Sequence, residues 1–431
     1  MCGILAIYNK EYSSIISFIK SLSQLQHRGN ESYGIVYHEQ PSNSIKISHF
    51  KGTISPNDLP HENYKIALGH VRYSTVSKTD DTNEHQPMYS QKHNFYLVHN
   101  GNIPKYNERY KGSDTTYIVN FINKYSTVEV GLKALVETLP GVYSIILLHD
   151  QNLYVARDVY GVRPLLVAGC SKSLTVTSES VSLQPKDNIL FEVERGAVVK
   201  IGSKIEYIYQ HYPKPKQIYC SFEIIYFMHH MSKILGDTTI SQLRYKLGEI
   251  LAKKEDKRIK NAIVVAMPNT AIPGAQGFAN ALNIPYFSYI MKSKESTRTF
   301  ILPTNEERQI ACRKKFRFHT DLRDKVVYVV DDSIVRGNTL ATTIESLREV
   351  GVKEIHLRIT SPPVISSCYY GIDIPTYEEL IAHNKIIPEV CSQLGGDTLT
   401  YLTTDELKEV MGSRICTACF DDKHHKELLE W

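Results

Sequence analysis

No stretch of this 431-residue chain approaches the roughly 18 consecutive apolar residues that a membrane-crossing helix requires, so no membrane is expected among its partners. The start, Met1-Cys-Gly-Ile-Leu-Ala-Ile-Tyr8, has no basic residues ahead of its apolar run and soon turns polar. That is not the pattern of a secretory leader, and a cytoplasmic protein is expected. Charge of one sign is scarce: 50 Lys and Arg against 46 Asp and Glu leave a formal +4, with no long run of like charges. A nucleic-acid surface is usually a concentrated basic stripe, so no nucleic-acid partner is expected. A few phosphates on a small molecule need only a handful of cationic side chains and backbone amides. Cysteine is sparse too. Eight in so long a chain do not make a disulfide framework, which leaves buried thiols, metal ligands or a nucleophile. The pattern GxxxxGK is missing, which excludes a P-loop nucleotide hydrolase.

What is there suffices for two domains of about 200 residues each. Short apolar runs at 2–8, 65–68, 95–99, 143–148, 153–156 and 165–167 read as strands separated by turn residues, with helical periodicity at 15–25, 115–122 and 128–138. The segment Tyr209-Gln-His-Tyr-Pro-Lys-Pro-Lys-Gln217 has two prolines and no apolar periodicity, as a crossover between domains would. Beyond it the rhythm changes to alternation: helix 239–254, strand 262–266, helix 271–282, strand 326–330, helix 339–350, strand 354–359. Alternating strands and helices predict a parallel sheet in a doubly wound domain. The expected organisation is a first domain over 2–208, a linker over 209–219 and a second domain over 220–431.

Cys2 directly follows Met1 and precedes Gly3. A small second residue permits removal of the methionine, and the freed α-amine, with a pKa near ~8, can act as base for its own thiol. Gly69-His-Val-Arg-Tyr-Ser74 sets Arg72 just beyond a strand, where a guanidinium can clamp a carboxylate with two hydrogen bonds. Val98-His-Asn-Gly-Asn102 closes another strand with an amide beside a glycine, so that Asn100 and the Gly101 N–H can donate to a developing oxyanion. Gly112-Ser-Asp114 places a carboxylate before a helix, able to hold an ammonium or simply to cap the helix.

Taken in order, Cys-Gly-Ile at the start, His27-Arg-Gly-Asn-Glu-Ser32, GHVRYS, Gln86-Pro87, VHNGN, GSD and Ala156-Arg-Asp-Val-Tyr-Gly-Val-Arg-Pro164 resemble the glutamine amidotransferases of the N-terminal nucleophile type. The resemblance implies an αββα sandwich with Cys2 as nucleophile, Arg72 and Asp114 as glutamine ligands, and Asn100 with Gly101 as the oxyanion hole. Where that family often has Gln-Asp/Glu-Ser-Ala-Gly, this chain has Asn30-Glu-Ser-Tyr33-Gly34.

In the second half, the apolar strand 325–330 runs into Asp331-Asp-Ser-Ile-Val-Arg-Gly-Asn-Thr339 and then a helix. Ligands of doubly wound folds sit at the carboxyl ends of strands, and a turn there offers backbone amides and a helix N-terminus to a phosphate. Ser333, Gly337, Asn338 and Thr339 allow close approach, while Asp331 and Asp332 suit ribose hydroxyls, directly or through Mg²⁺. The segment resembles the diphosphate-sugar fingerprint of type I phosphoribosyltransferases, and DDSIVRG is close to its form in the amidophosphoribosyltransferases. Arg298-Thr-Phe-Ile301, Arg358-Ile-Thr-Ser-Pro-Pro363 and Tyr370-Gly-Ile-Asp373 agree. The resemblance implies a type I phosphoribosyltransferase α/β domain with a mostly parallel sheet. Its phosphoribosyl diphosphate site would be formed by Asp331, Asp332, Ser333, Val335, Arg336, Gly337, Asn338, Thr339 and Arg298. Two departures stand out: Met228-His-His-Met-Ser232 where Ala-Arg-Pro-Asp-Ser is usual, and Asn269 where an acidic residue is more familiar. They keep two other readings open, a glutaminase with a degenerate synthase domain and a nucleotide-responsive regulator without transfer activity.

Cys416-Thr-Ala-Cys419, with Cys220 and Cys368, looks like the four ligand positions of the amidophosphoribosyltransferases that carry a [4Fe–4S] cluster; zinc would also accept four thiolates. Cys170, Cys312 and Cys391 follow no ligand pattern and are expected to be buried hydrophobes. The polar stretch 292–299 is a candidate for closing over the substrate. The family resemblance further implies Mg²⁺, homo-oligomers (commonly tetramers) and inhibition by purine nucleotides.

Overall fold

The computed structural model describes residues 1–431 apart from 41, 43, 56–60, 74–83, 105–111, 213–216, 235, 256–258, 260, 293–315, 375 and 425–431. In its first half, two antiparallel sheets lie face to face. One has seven strands in the order 188–192, 166–169, 173–177, 3–14, 63–72, 32–40, 45–51; the other has six, in the order 205–210, 197–201, 152–157, 142–149, 95–102, 88–90. The period-2 alternation of strand side chains sorts each central strand into two faces. Along Gly3–Ser14, Ile4 and Ala6 face the opposite sheet, while Leu5 and Ile7 face the helix Ile15–Ser23 through Phe18 and Leu22. Along Val142–His149, Ile146 and Leu148 enter the same inter-sheet core, and Ile145 and Leu147 meet the helices Asp114–Ile122 and Val128–Thr138. Helix, sheet, sheet, helix is the αββα sandwich expected. Its helices start on hydroxyl caps, Ser14, Ser113 and Thr127, each accepting from a first-turn N–H.

In the second half, the strands Ala262–Ala266, Val326–Asp331, Glu354–Ile359 and Thr398–Tyr401 pair in that order, all parallel. Such a sheet must be covered on both faces, and the sequence provides for it with near-continuous apolar strands. Val264, Tyr328 and Val330 pack toward the helices Ile240–Ala252 and Ile272–Leu282, whereas Val265, Val327 and Val329 pack toward Asn338–Val350 and Ile387–Leu394. Short strands Tyr219–Cys220 and Ile415–Cys416 pair parallel and tie the start of this half to its end. The first half's last strand ends at Gln210, and the Ile218 N–H donates to the Tyr160 carbonyl at 3.1 Å. No described helix is long and apolar enough to cross a membrane.

A fully buried charge array joins the halves. The Arg28 guanidinium reaches the carboxylates of both Glu179 and Glu223, and its Nε donates to the Cys2 carbonyl at 2.8 Å. Arg163 donates to the other oxygen of Glu223 at 2.8 Å and, with its second terminal nitrogen, to the Tyr370 carbonyl. Glu179 also accepts from His27 at 2.9 Å, from the His229 N–H at 2.8 Å and from Ser232 Oγ at 2.6 Å. Two guanidinium groups thus face two carboxylates, and every carboxylate oxygen is hydrogen-bonded, which is what burial of charge demands. Burial alone would raise the Glu179 carboxyl; Arg28 first, then His27 and Ser232, overcome that and hold it at about 2.

A depressed carboxyl contributes stability that is complete above its unfolded value of 4.5 and lost as pH falls toward about 2. The thermal midpoint of the protein should therefore fall across that window, and Glu179→Gln should lower the midpoint at neutral pH while flattening the acid limb. Scanning calorimetry over a pH series checks this; a wild-type midpoint constant across the window would show that the array carries no pH-dependent stability.

Candidate functional site

The first site gathers where the strands Gly3–Ser14, Asn63–Arg72 and Phe95–Asn102 end together. Gly3 pairs with Val71, and a Cβ on Gly3 would lie 2.8 Å from Val71 Cγ2, so only glycine after Cys2 lets these strands close. Cys2 is half-buried; its Sγ lies 3.7 Å from the Tyr73 carbonyl, and its N–H donates to Asn100 Oδ1 at 3.2 Å. Because the carbonyl oxygen of Asn100 is taken in this way, its Nδ2 is left as a buried donor with no partner among the described residues. A buried donor without a partner costs stability unless a ligand meets it. Gly101 follows in the same strand, opposite Tyr143; a Cβ there would stand 1.9 Å from the Val142 carbonyl oxygen.

Arg72 is buried at the end of its strand, one residue before Tyr73. Asp114 is not the helix cap. Ser113 fills that role, so the Asp114 carboxylate is left half-buried in the first turn, with His99 Nδ1 3.9 Å and Thr115 Oγ1 3.4 Å away. Burial pushes His99 below the usual imidazole range despite Asp114, so this ring is neutral near pH 7. Gln86 accepts from the His99 N–H at 2.6 Å and donates to Thr115 at 3.0 Å, fixing both. Cys2, Asn100, Gly101 and Arg72 thus converge at one set of strand ends, and Asp114 joins them through the His99 and Thr115 contacts.

The second site follows the strand Val326–Asp331. The Asp332 N–H donates to Asp331 Oδ1 at 2.8 Å and Ser333 Oγ to Asp332 Oδ2 at 2.7 Å. Burial pushes the Asp332 carboxyl up to about 6, with Ser333 and the neighbouring Arg244 opposing. Arg244 is itself buried and lowered to about 10, and it donates to the carbonyls of Ile224 (3.0 Å) and Met228 (2.8 Å). Gly337 caps the helix Asn338–Val350 at φ +80°, a left-handed conformation suited to glycine, and offers no side chain to the first-turn N–H groups. Asn338 and Thr339 open that first turn. The backbone carbonyl of Val335 accepts from Ile381 (3.0 Å), and Arg336 pairs with Glu379 at 2.7 Å on the surface, so these two are engaged by the segment 379–381. Arg298 and most of 292–299 lie outside the described residues, as does Cys312. Asn269 is exposed after the strand Ala262–Ala266, where the Pro268–Asn269 peptide is cis.

The four cysteines expected as ligands line one cavity. Cys220, Cys368, Cys416 and Cys419 surround it with Phe222 and Tyr370 in an almost wholly apolar wall, and His424 also borders it. Burial pushes the Cys220 thiol up to about 12, and raises Cys416 and Cys419 as well. Among the described residues no group of three or more His, Cys, Asp or Glu side chains is placed so as to hold a metal ion. Cys391 is buried in the core, as expected, while Cys170 is half-buried with its Sγ 3.3 Å from Ser173 Oγ.

Sequence reasoning missed Arg28, Glu179, Glu223, Arg163 and Arg244. Arg28 and Arg163 lay inside quoted motifs with no role attached; Glu179 and Glu223 meet them only in three dimensions. The Met228–Ser232 segment, a departure within the transferase half, also supplies the His229 N–H and the Ser232 hydroxyl to Glu179.

Fold and sites together define a glutamine amidotransferase joined to a phosphoribosyltransferase. Residues 56–245 match the glutamine amidotransferase domain family, and residues 239–360 match the phosphoribosyl transferase domain family. The amidophosphoribosyltransferase of Methanothermobacter thermautotrophicus is 32% identical over 455 residues, covering 99% of this chain and 95% of that one. That of Bacillus subtilis is 30% identical over 459 residues, covering 100% and 95%. A solved structure of glutamine phosphoribosylpyrophosphate amidotransferase from B. subtilis, complexed with ADP and GMP, superposes with a TM-score of 0.86 at 30% identity over 98% of this chain and 97% of that one. The chain belongs to the amidophosphoribosyltransferase family, enzymes of purine biosynthesis.

The tight contact at Gly101 predicts that Gly101→Ala destabilises the fold by about 1–3 kcal/mol through overpacking against the Val142 carbonyl, and displaces Asn100 with it. Urea unfolding midpoints check the first part, and glutamine hydrolysis checks the second. Wild-type stability and hydrolysis in the variant would show that the strand relaxes freely there.

Proposed function

We propose that glutamine binds with its α-carboxylate on Arg72 and its α-ammonium on Asp114, and that the Cys2 thiol attacks its side-chain amide. With Met1 removed, the α-amine of Cys2 takes the thiol proton and returns it to the leaving ammonia. The oxyanion of the tetrahedral adduct accepts from Asn100 Nδ2 and from the Gly101 N–H. Water then hydrolyses the thioester to glutamate. The observation that carries this reading is the buried, unpartnered Nδ2 of Asn100 beside Cys2, with the Asn100 carbonyl already held by the Cys2 N–H.

In the second half, Asp331 and Asp332 bind the ribose hydroxyls of 5-phosphoribosyl 1-diphosphate, and the turn Ser333–Thr339, with Arg298, holds its 5-phosphate. Ammonia displaces pyrophosphate from C1, giving 5-phosphoribosylamine, the opening reaction of purine biosynthesis. Asp331 and Asp332 would hold Mg²⁺ with the substrate, and the ion would supply positive charge to the departing pyrophosphate. The raised Asp332 carboxyl fits that role, since a cation would offset the burial that pushes it up. Ammonia reaches C1 within the protein because bulk water would protonate it.

The four-cysteine cavity fits a [4Fe–4S] cluster. Cys220, Cys368, Cys416 and Cys419 would hold it through their thiolates, and the cavity they share supports that reading. Its role is structural, joining Cys220 at the start of the second half to Cys368, Cys416 and Cys419. We place the domains at 2–208 and 220–431 with the linker 209–219 between them, the enzyme in the cytoplasm, and its assembly as a homo-oligomer. Purine nucleotides act as its inhibitors, consistent with the ADP and GMP bound by the B. subtilis relative.

Cys2→Ala should abolish glutamine-dependent pyrophosphate release and spare release with added ammonium; equal loss of both would defeat the two-site scheme. Asn100→Ala should lower glutamine hydrolysis by roughly 10²–10³-fold, chiefly in kcat. Protein prepared without oxygen should be brown and contain iron and sulfide near four of each per chain, roughly as a [4Fe–4S] centre requires. Colourless, zinc-loaded protein would overturn the cluster.

A further inference from the structure

Arg28 is placed to act on Cys2 in a way the reaction scheme leaves unused. Its Nε fixes the Cys2 carbonyl at 2.8 Å, while its two terminal nitrogens are held by Glu179 from the first half and Glu223 from the second. Glu223 opens a single π-helical turn, Glu223–Phe227, closed by the Met228 N–H on the Glu223 carbonyl at 2.8 Å. The same turn reaches Cys2 by a second route. The Phe227 ring meets Tyr73 edge-on at 6.1 Å, and the Tyr73 carbonyl lies 3.7 Å from the Cys2 thiol. The backbone of the nucleophile therefore rests, by two routes, on one five-residue turn of the second half.

We infer that the Glu223–Phe227 turn is the positioning platform for the nucleophile, with Glu223 acting through Arg28 to set the Cys2 carbonyl and thus the attack angle of its thiol. The inference rests on the reading of Cys2 as the nucleophile. Neither Arg28 nor Glu223 holds glutamine in that reading; Arg72 and Asp114 do. Loss of the platform should leave binding intact and slow the attack, a change in kcat rather than in KM.

The test uses the full-length enzyme prepared without oxygen, with glutamine-dependent and ammonium-dependent pyrophosphate release measured side by side. Glu223→Gln should lower the glutamine-dependent kcat at least tenfold, with the glutamine KM and the ammonium-dependent rate each within about threefold of wild type. Arg28→Lys should show the same split. A lysine keeps the buried charge balanced, so that variant stays folded, but one ammonium cannot serve the Cys2 carbonyl and both carboxylates. If Glu223→Gln does not fold, Arg28→Lys decides on the same terms. A wild-type glutamine kcat in a folded variant overturns the inference, as does a parallel loss of both activities. Cys2→Ala run alongside separates the two levels: glutamine-dependent release surviving in that variant would remove the nucleophile reading itself.

Discussion

The interaction on which the rest depends is the buried array of Arg28, Arg163, Glu179 and Glu223. A carboxylate or guanidinium withdrawn from water costs several kcal/mol, and the loss is recovered only with an opposite charge at contact and every remaining lone pair or N–H engaged. Here each carboxylate is answered from more than one side, Arg28 also gives its Nε to the Cys2 carbonyl, and Arg163 gives a terminal nitrogen to the Tyr370 carbonyl. Removing any one member would strand a buried charge, at a cost of about 3–5 kcal/mol. A packed apolar interface of the same size could hold two domains together as firmly. It could not fix the angle at which they meet with hydrogen bonds of defined direction, and two consecutive reactions in two domains require that angle.

Around this array the two chemistries are arranged by different physical means. The proposed glutamine site is made of strand ends brought together by antiparallel register, where glycines at 3 and 101 lack the Cβ atoms that would crowd the Val71 side chain and the Val142 carbonyl. The sugar-phosphate site is made of one parallel strand, one turn and one helix N-terminus. Its charge is tuned by depth: Asp332 lies deep enough for burial to raise it, with Arg244 close by to limit the rise. The four cysteines add a third device. They link two short paired strands, a loop and a terminal helix around an apolar cavity, next to the carbonyl that Arg163 holds. Tyr370 thus borders both the cavity and the charge array, so the structural cavity and the interface support each other.

The Met228–Ser232 segment departs from the familiar motif and also lies against the first half. Its His229 N–H and Ser232 hydroxyl reach Glu179, while the Met228 N–H and carbonyl bond to Glu223 and Arg244. His229 stacks on His230 at 4.2 Å and meets His27 at 5.3 Å, whereas His230 and Met231 are exposed.

By itself the sequence marks strands and helices, while its ordered motifs imply, by resemblance, the αββα layers and the candidate reacting groups. The apolar runs 2–8 and 143–148 and the helical periodicity of 128–138 are local signals, set by which residues must leave water, and they survive without knowledge of partners. Cys2, Arg72, Asn100 and the Asp331–Thr339 turn could be named as candidates because a strand end or a phosphate-cradling turn is built from contiguous residues. Only the tertiary structure decided that Ser113 rather than Asp114 caps its helix, that Arg336 pairs with Glu379, and that Arg28 lies between Glu179 and Glu223, 151 and 195 residues away. Those outcomes depend on which charges meet after the chain has folded. The energy of a buried ion pair is set by its final distance and desolvation, and neither leaves a trace in local sequence.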